Sequence, residues 1–599
     1  MSTTLATIDA KLTALLADWS LSTTLLALFL ALILLTPILF PSEPDTHPLL
    51  LARQSIPSPV RARNESAIYR SPESPHGYPL RSGLNVKEPG APRWAGGKDG
   101  DLRDVWREVC RGGEEGGEGK SVPKGVVMSV FGKSEVVEHD LGEMSGEIGV
   151  LGRSWKEGGC GKVAVYLPNS VEFLEAVFAC TFYGITPVLL PFNIPHEKVY
   201  ELLKTTGADG LVAAAGTLPL DAVAKQCPTL KQLTWVVEKT SKHMDWSGTS
   251  QSASSRLSVN VWHDLVEAQK GKPSSLPANT PGETPPDLIV VSQPTDISLP
   301  PTITTFTQSN LVAAIASLLT ALPTRQRLSS ADLLLPASPL NETYTFTHTL
   351  AALYTHTSLA LTSVAAPGVE ISLATRGIAP TVIIASPETL SALHLKETAG
   401  ITSSLQKFGK YSQSQTVSAG RMPTDNLLFR FLAPSSSTIQ PGKLRLIFTA
   451  TRIGAGEPVL TSNMLSDLRI FTRARIVHAL SAPSVAGAIS QTNVFDYRAE
   501  DGTGHGHFGV PLSCVEVKLV SGDGTDDGVG KEEPRGRIVV LGKSVVGGKV
   551  EVSGVEGVFR RDGTLALVMA GNSKDRSRYI PLYHGATNPM QRNSSKSVK

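Results

Sequence analysis

The stretch that most constrains this chain is residues 162–191. An apolar run at 163–167 meets a turn at Pro168-Asn169, then apolar residues at helical spacing (Val171, Leu174, Val177, Phe178), then Gly184 and a second apolar run at 187–190. The pattern predicts a strand, a helix and a strand, with Ser170 as N-cap, Glu172 in the first turn and Gly184 as the stop. Two short strands joined by a helical crossover pair in parallel, so a parallel α/β sheet is implied. The alternation continues with a helix at 198–205 and strands at 210–215 and 287–292, which predicts doubly wound α/β subdomains.

Composition narrows the partners. With 41% hydrophobic and 18% charged residues over 599 positions the chain is globular rather than disordered. A net charge of +2 supplies no basic footprint, so nucleic acid is excluded as a partner. Five cysteines, odd in number and without Cys-x-x-Cys spacing, read as reduced, mostly buried side chains in a cytosol-facing protein and not as a metal site.

Residues 21–40 contain no charged side chain, and at about 1.5 Å per residue a helix of that length crosses a bilayer. Asp9, Lys11 and Asp18 precede it in place of the basic region of a signal peptide, so the run reads as a retained single-pass anchor. Arg53, Arg61, Arg63 and Arg70 follow it and put the bulk of the chain in the cytosol; the anchor length fits the endoplasmic reticulum. The expected organisation is a tail at 1–20, the anchor at 21–40, a linker and lead-in segment at 41–121, a first α/β subdomain at 122–286 with a Ser/Pro-rich insertion at 239–286, a second at 287–502, a β-rich subdomain at 503–575 and a flexible tail at 576–599. Within the linker, apolar positions 102, 105, 106 and 109 suit one amphipathic helix, and 112–119 is expected to be a flexible acidic Gly/Glu run. One short helix is expected inside the insertion, at 261–269. His505 and His507, set between glycines, read as a solvated loop.

The strand ending in Leu167-Pro168-Asn169, its helix, and the following Gly184-Ile-Thr-Pro-Val188 resemble the opening of the adenylate-forming superfamily, in particular the AMP-forming long-chain acyl-CoA ligases. The resemblance runs over roughly 122–575 and implies two αβα subdomains followed by a small β-rich one, with sites for ATP, Mg²⁺, an acyl group and CoA. It also implies a Gly/Ser/Thr-rich phosphate loop with a Lys. At that place stands Ser292-Gln-Pro-Thr-Asp-Ile-Ser-Leu-Pro-Pro-Thr302. Thr295, Ser298 and Thr302 are the remnants, but glycines are absent, Leu299 and Ile303 occupy two of their positions, Thr302 replaces the Lys, and Asp296 adds a negative charge. Backbone N–H groups need glycines to reach phosphate closely, so this loop is expected to hold ATP poorly.

Other positions depart similarly from the resemblance. Glu342 stands in place of the aromatic or His at the acyl pocket. Gly454 and Gly456 stand in for the adenine-contacting glycines. Leu480, Pro483 and Ser484 replace the Tyr, Thr and Mg²⁺-binding Glu, which leaves a hard cation without its carboxylate. The ribose Asp is missing before Asp562, and Gly571-Asn-Ser-Lys-Asp575 resembles the hinge, with Asn572 where Arg is usual. Only 24 residues follow Asp575, so the C-terminal lobe is expected to be absent. The expectation is therefore a membrane-anchored scaffold, without catalytic or metal-binding residues, that binds an acyl chain or a protein. The alternative is an active fatty acid-CoA ligase using ATP, Mg²⁺ and CoA, with Thr295, Ser298 and Thr302 on the phosphates. A triad hydrolase lacks a Gly-x-Ser-x-Gly elbow.

Overall fold

The computed structural model describes residues 13, 20–39, 43–87, 91–92, 94–115, 120–131, 135–237, 257–268, 276–278, 283–423, 443–499, 505–522 and 528–568. Its organising unit is the one expected: strand Lys162–Tyr166, helix Val171–Tyr183 and strand Thr186–Leu189. The two strands pair in parallel, Lys162 opposite Thr186. The Ser170 hydroxyl accepts the Phe173 N–H at 3.3 Å, and Gly184, at φ 73°, ends the helix in the left-handed region that a side chain disfavours. Asn169 reaches further. Its amide donates to the carbonyls of Pro336 and Ser338 at 3.1 and 2.8 Å and accepts from the Leu340 N–H at 2.8 Å, so the turn after the first strand clasps the edge of a second sheet.

Three sheets share the core. The first is seven-stranded, its middle formed by Gly210–Ala214, Lys162–Tyr166, Thr186–Leu189 and Leu288–Ser292 in that order. The second is nine-stranded and carries Leu333–Pro336, Val382–Ile384, Leu446–Arg452 and Arg475–Ser481. The third is a six-stranded antiparallel sheet that includes Val515–Val520, Arg535–Gly542 and Lys549–Phe559. Side chains along Val515–Val520 alternate between buried and half-buried, as the sequence period predicts. Helices Val171–Tyr183, Gln308–Ala321 and Thr343–Tyr354 contribute to one core that also takes Val163, Phe448 and Val517 from the three sheets. The architecture is thus the α/β fold expected.

Strand pairing crosses the expected boundaries. Leu288–Ser292 and Thr302–Phe306 complete the first sheet, although they follow residue 286, and Val127–Phe131 joins the second sheet beside Ser358–Thr362. The 41–121 segment is more than a linker. Tyr69–Arg70 pairs with the third sheet, the Tyr69 ring stacks on Phe559 at 3.7 Å, and helix Leu102–Arg111, capped by Asp101, buries Trp106 at 4.8 Å from Phe178. Within the run expected to be a flexible acidic linker, Gly113–Glu115 pairs with Lys120–Val122. The insertion supplies an edge strand, Ser258–Val261, parallel to Gln232–Val236, and the short helix Trp262–Glu267. The segment is not the solvated loop expected: His505 is half-buried and His507 buried. Gly506 donates to the Leu460 carbonyl at 2.9 Å, which draws the segment inward, and buried His507 lies 3.4 Å from the Asp496 carboxylate.

Among the described residues no helix is long and apolar enough to cross a membrane. A helix does run from Leu21 to Leu39, over the expected anchor, but burial is described there only as far as Ala31. The hinge expected at 571–575 and the tail lie outside the described residues. Four cysteines are buried and Cys110 half-buried, all as free thiols.

Candidate functional site

Parallel strands Leu288–Ser292 in the first sheet and Leu446–Arg452 in the second end facing a common cleft of about 250 Å³. Its walls are the Ser292–Pro294 start of the loop, Thr302, the Arg452–Ala455 turn, Ala482–Ser484 and, from the third sheet, 550–553. Ligands of open α/β sheets bind outside the carboxyl ends of strands, which makes this the place to look.

The expected site residues fall differently around it. Thr302 and Gly454 line the cleft. Gly454 and Gly456 sit at φ 78° and 74°, so the turn needs glycine at both places for its backbone alone. Thr295 turns away. Its N–H donates to the Ala455 carbonyl at 2.8 Å, and its hydroxyl to Glu388 Oε1 at 3.3 Å. Ser298 closes a local turn: its N–H and hydroxyl both donate to Asp296 Oδ1, at 2.9 and 2.7 Å, and hold that exposed carboxyl below its usual range. Lys198 donates to the Ile297 carbonyl from the neighbouring helix. Thr302 pairs with Ser292 across an antiparallel hairpin, so it belongs to a strand and not to an open loop. The donors of Thr295 and Ser298 are therefore spent on the protein itself.

A buried charge cluster, which the sequence alone did not disclose, closes the floor. Arg452 Nη1 lies 3.8 Å from Glu342 Oε1, its Nε lies 3.4 Å from Glu457 Oε1, and its backbone N–H donates to Glu457 Oε2 at 2.7 Å. Burial opposes the Arg452 charge, but Glu342, Glu457 and Glu388 together hold its pKa above the ordinary value. Glu457 is buried so thoroughly that its pKa is pushed up to about 8, against the pull of Arg452 and with the push of Glu388 and Glu342. Burial likewise raises Glu342, with Arg452 opposing. Beneath them a void of about 20 Å³, room for roughly one water, is bounded by Glu342, Tyr344, Arg452 and Glu457. Behind it His348 is pushed down to about 4 by burial and stays neutral.

The Arg452 guanidinium is engaged by Glu342 and Glu457 and is not presented free to a polyphosphate. The cleft is also smaller than the roughly 300–1,000 Å³ of ordinary small-molecule sites. Pro483 and Ser484 line the wall where the resemblance implies the Thr and the Mg²⁺-binding Glu, so the residues present do not fit that ion. Among the described residues no group of three or more His, Cys, Asp or Glu could hold a metal. Asp562, near the expected ribose contact, is committed to Arg498 at 2.7 Å and to the Thr564 N–H and hydroxyl.

Residues 156–291 match the family model for the AMP-binding enzyme. The fold is similar to that of an anthranilate CoA ligase in complex with anthranoyl-AMP, at TM-score 0.55 and 15% identity over 80% of this chain and 79% of that one. It is similar to the N-terminal domain of FACL13 from Mycobacterium tuberculosis, at TM-score 0.53 and 14% identity over 78% and 99%. A long-chain-fatty-acid-CoA ligase from Archaeoglobus fulgidus gives TM-score 0.53 and 15% identity over 82% and 86%. No curated protein matches the sequence. Identities this low speak to fold, and together with the matched segment they give this chain the α/β N-terminal domain fold of the adenylate-forming ligases.

Proposed function

We propose that this chain is a membrane-anchored homologue of the long-chain acyl-CoA ligases that does not adenylate, and that it serves as a scaffold binding an acyl chain or a protein partner. The observation that carries the reading is the Arg452 cluster. Glu342 and Glu457 engage the Arg452 guanidinium beside the cleft, and Thr295 and Ser298 of the loop spend their hydrogen-bond donors on Ala455, Glu388 and Asp296. The anchor reading draws support from the charge-free helix Leu21–Leu39 ahead of the folded body. The bulk of the chain then faces the cytosol, with the endoplasmic reticulum as the membrane.

Calorimetry on the full-length chain in detergent, with Mg-ATP and separately with a long-chain acyl-adenylate analogue, tests the reading. No heat from Mg-ATP and no fatty-acid-dependent pyrophosphate release are expected. Turnover would establish the alternative, an active ligase using ATP, Mg²⁺ and CoA, for which the glycine turn at Gly454 and Gly456 is the favouring observation.

A further inference from the structure

Helix Ser404–Ser418 buries Gly409, Gln413 and Val417 against the body, one turn apart, and so presents its opposite face to solvent. On that outer face stand Phe408 and Tyr411, 62% and 63% exposed, and Leu405, 65% exposed, flanks them at the first turn, where the row of Gly409, Gln413 and Val417 runs out past the body. A polar helix surface does not need three large apolar groups within two turns, and such a cluster marks a contact surface. Lys407 is exposed beside them, while Lys410, at the edge of the buried side, pairs with Asp467 at 2.7 Å.

The position of the N-terminal helix says what covers this face. Asp45 N–H donates to the Gly420 carbonyl at 2.9 Å, directly after the helix ends at Ser418. The Asp45 carboxylate accepts from Arg475 and the Tyr497 hydroxyl at 3.0 and 2.8 Å, which fixes the chain at that point. From Leu39 to Asp45 is a reach of at most about 20 Å even when fully extended. The 15-residue helix is itself about 22 Å long, so the apolar run is tethered within one helix length of the exposed face. Immediately after the tether Leu49 and Leu50 are 73% and 63% exposed, with Arg53 exposed beside them. The described part of the N-terminal helix keeps Leu25, Leu28 and Phe29 exposed, so that part does not cover the face.

We propose that the outer face of Ser404–Ser418, with Leu49 and Leu50, rests in the headgroup and upper acyl region of the bilayer that the N-terminal helix enters. The inference rests on the anchor reading and extends it: the body is held flat on the lipid by an in-plane helix as well as by its tether. Apolar side chains on one face, with Lys407 and Arg53 at its margin toward anionic headgroups, are the composition of interfacial helices.

The full-length chain is reconstituted into vesicles of mixed phosphatidylcholine and phosphatidylserine, with spin labels on Leu405→Cys, Phe408→Cys and Tyr411→Cys and a reference label on exposed Arg561→Cys. The native thiols are buried or half-buried, and labelled wild-type protein serves as the blank. At 405, 408 and 411 collisions with oxygen are expected to exceed those with a water-soluble nickel chelate, with the reverse at 561. Nickel access at 408 equal to that at 561 overturns the proposal. Low access to both relaxers also overturns it, because the face is then covered by protein, such as a second copy or the apolar run Leu427, Leu428, Phe429. Alkaline carbonate extraction of the same vesicles separates the two readings: release of the chain removes the anchor and the face with it, whereas retention with a water-exposed label at 408 removes the face alone.

Discussion

Two turns at the carboxyl ends of parallel strands make an instructive pair. After strand Lys162–Tyr166, the turn at Asn169 and Ser170 sends its polar groups across to another element: Asn169 into the second sheet, Ser170 onto its own helix. After strand Leu288–Ser292, the loop at 293–301 sends them to itself and to its rim, with Ser298 on Asp296 and Thr295 on Ala455 and Glu388. The first turn assembles the fold. The second covers a cleft and commits the donors of Thr295 and Ser298, the feature on which the proposed lack of adenylation draws. The two turns are built from similar residue types, and what separates them is where the partners lie.

The contrast is tested most severely in the scaffold. Phe178→Ala opens a cavity in fully buried packing against Trp106 and is expected to cost about 3–5 kcal/mol in urea unfolding. A cost below about 1 kcal/mol would mean that the organising unit is not the core it is taken for. Arg452→Ala comes next, at about 2 kcal/mol near neutral pH, because it removes packed side-chain bulk between Glu342 and Glu457 and the cation that offsets the burial of their carboxyls. If it proves neutral, the cluster is wetter than its burial implies.

Glu457 adds a pH signature. Its folded pKa of about 8 lies above the ordinary carboxyl value of 4.5, so the stability tied to its protonated form is full below about 4.5 and is lost as pH rises through about 8. Each pKa unit corresponds to about 1.4 kcal/mol, so the loss over the whole window is on the order of 5 kcal/mol. Thermal melts from pH 5 to 9 are expected to fall for the wild type and to fall less for Glu457→Gln, whose side chain can still accept the Arg452 N–H. Parallel curves would show that Glu457 ionises freely and that the cleft carries full negative charge at neutral pH.

Those residues also mark how far the sequence could be read. Ser170 and Gly184 announce helix ends through contacts at most a few residues away, and each stands where its local pattern puts it. The alternation along Val515–Val520 is equally local. The Arg452 cluster is not. Glu342 and Glu457 meet at Arg452 only because Leu333–Pro336, Val382–Ile384 and Leu446–Arg452 are neighbours in one sheet, an order that no short pattern encodes. His505 and His507 were obscured for the opposite reason: the glycines around them look like loop, yet Gly506 lets the backbone pass close to Ser462 and Leu465. The Ser258–Val261 edge strand was hidden by the Ser/Pro-rich residues around it.

The smallest effects sharpen the comparison between the two turns. Ser170→Ala removes a hydroxyl that satisfies an otherwise orphaned helix N–H and is expected to cost about 1 kcal/mol. Ser298→Ala also removes a hydroxyl hydrogen bond, to Asp296 at 2.7 Å, yet that residue is exposed, and water replaces the lost partner in both the folded and unfolded chain. Its cost is expected to lie within about 0.5 kcal/mol. Freeing the carboxyl should also let the Asp296 pKa rise toward its ordinary value, because the Ser298 hydroxyl is the largest of the influences that lower it. NMR titration of the Asp296 side chain in Ser298→Ala reads that directly. If unfolding costs the same at Ser170 and Ser298, the loop is part of the scaffold after all, and the division drawn between assembling and covering turns fails.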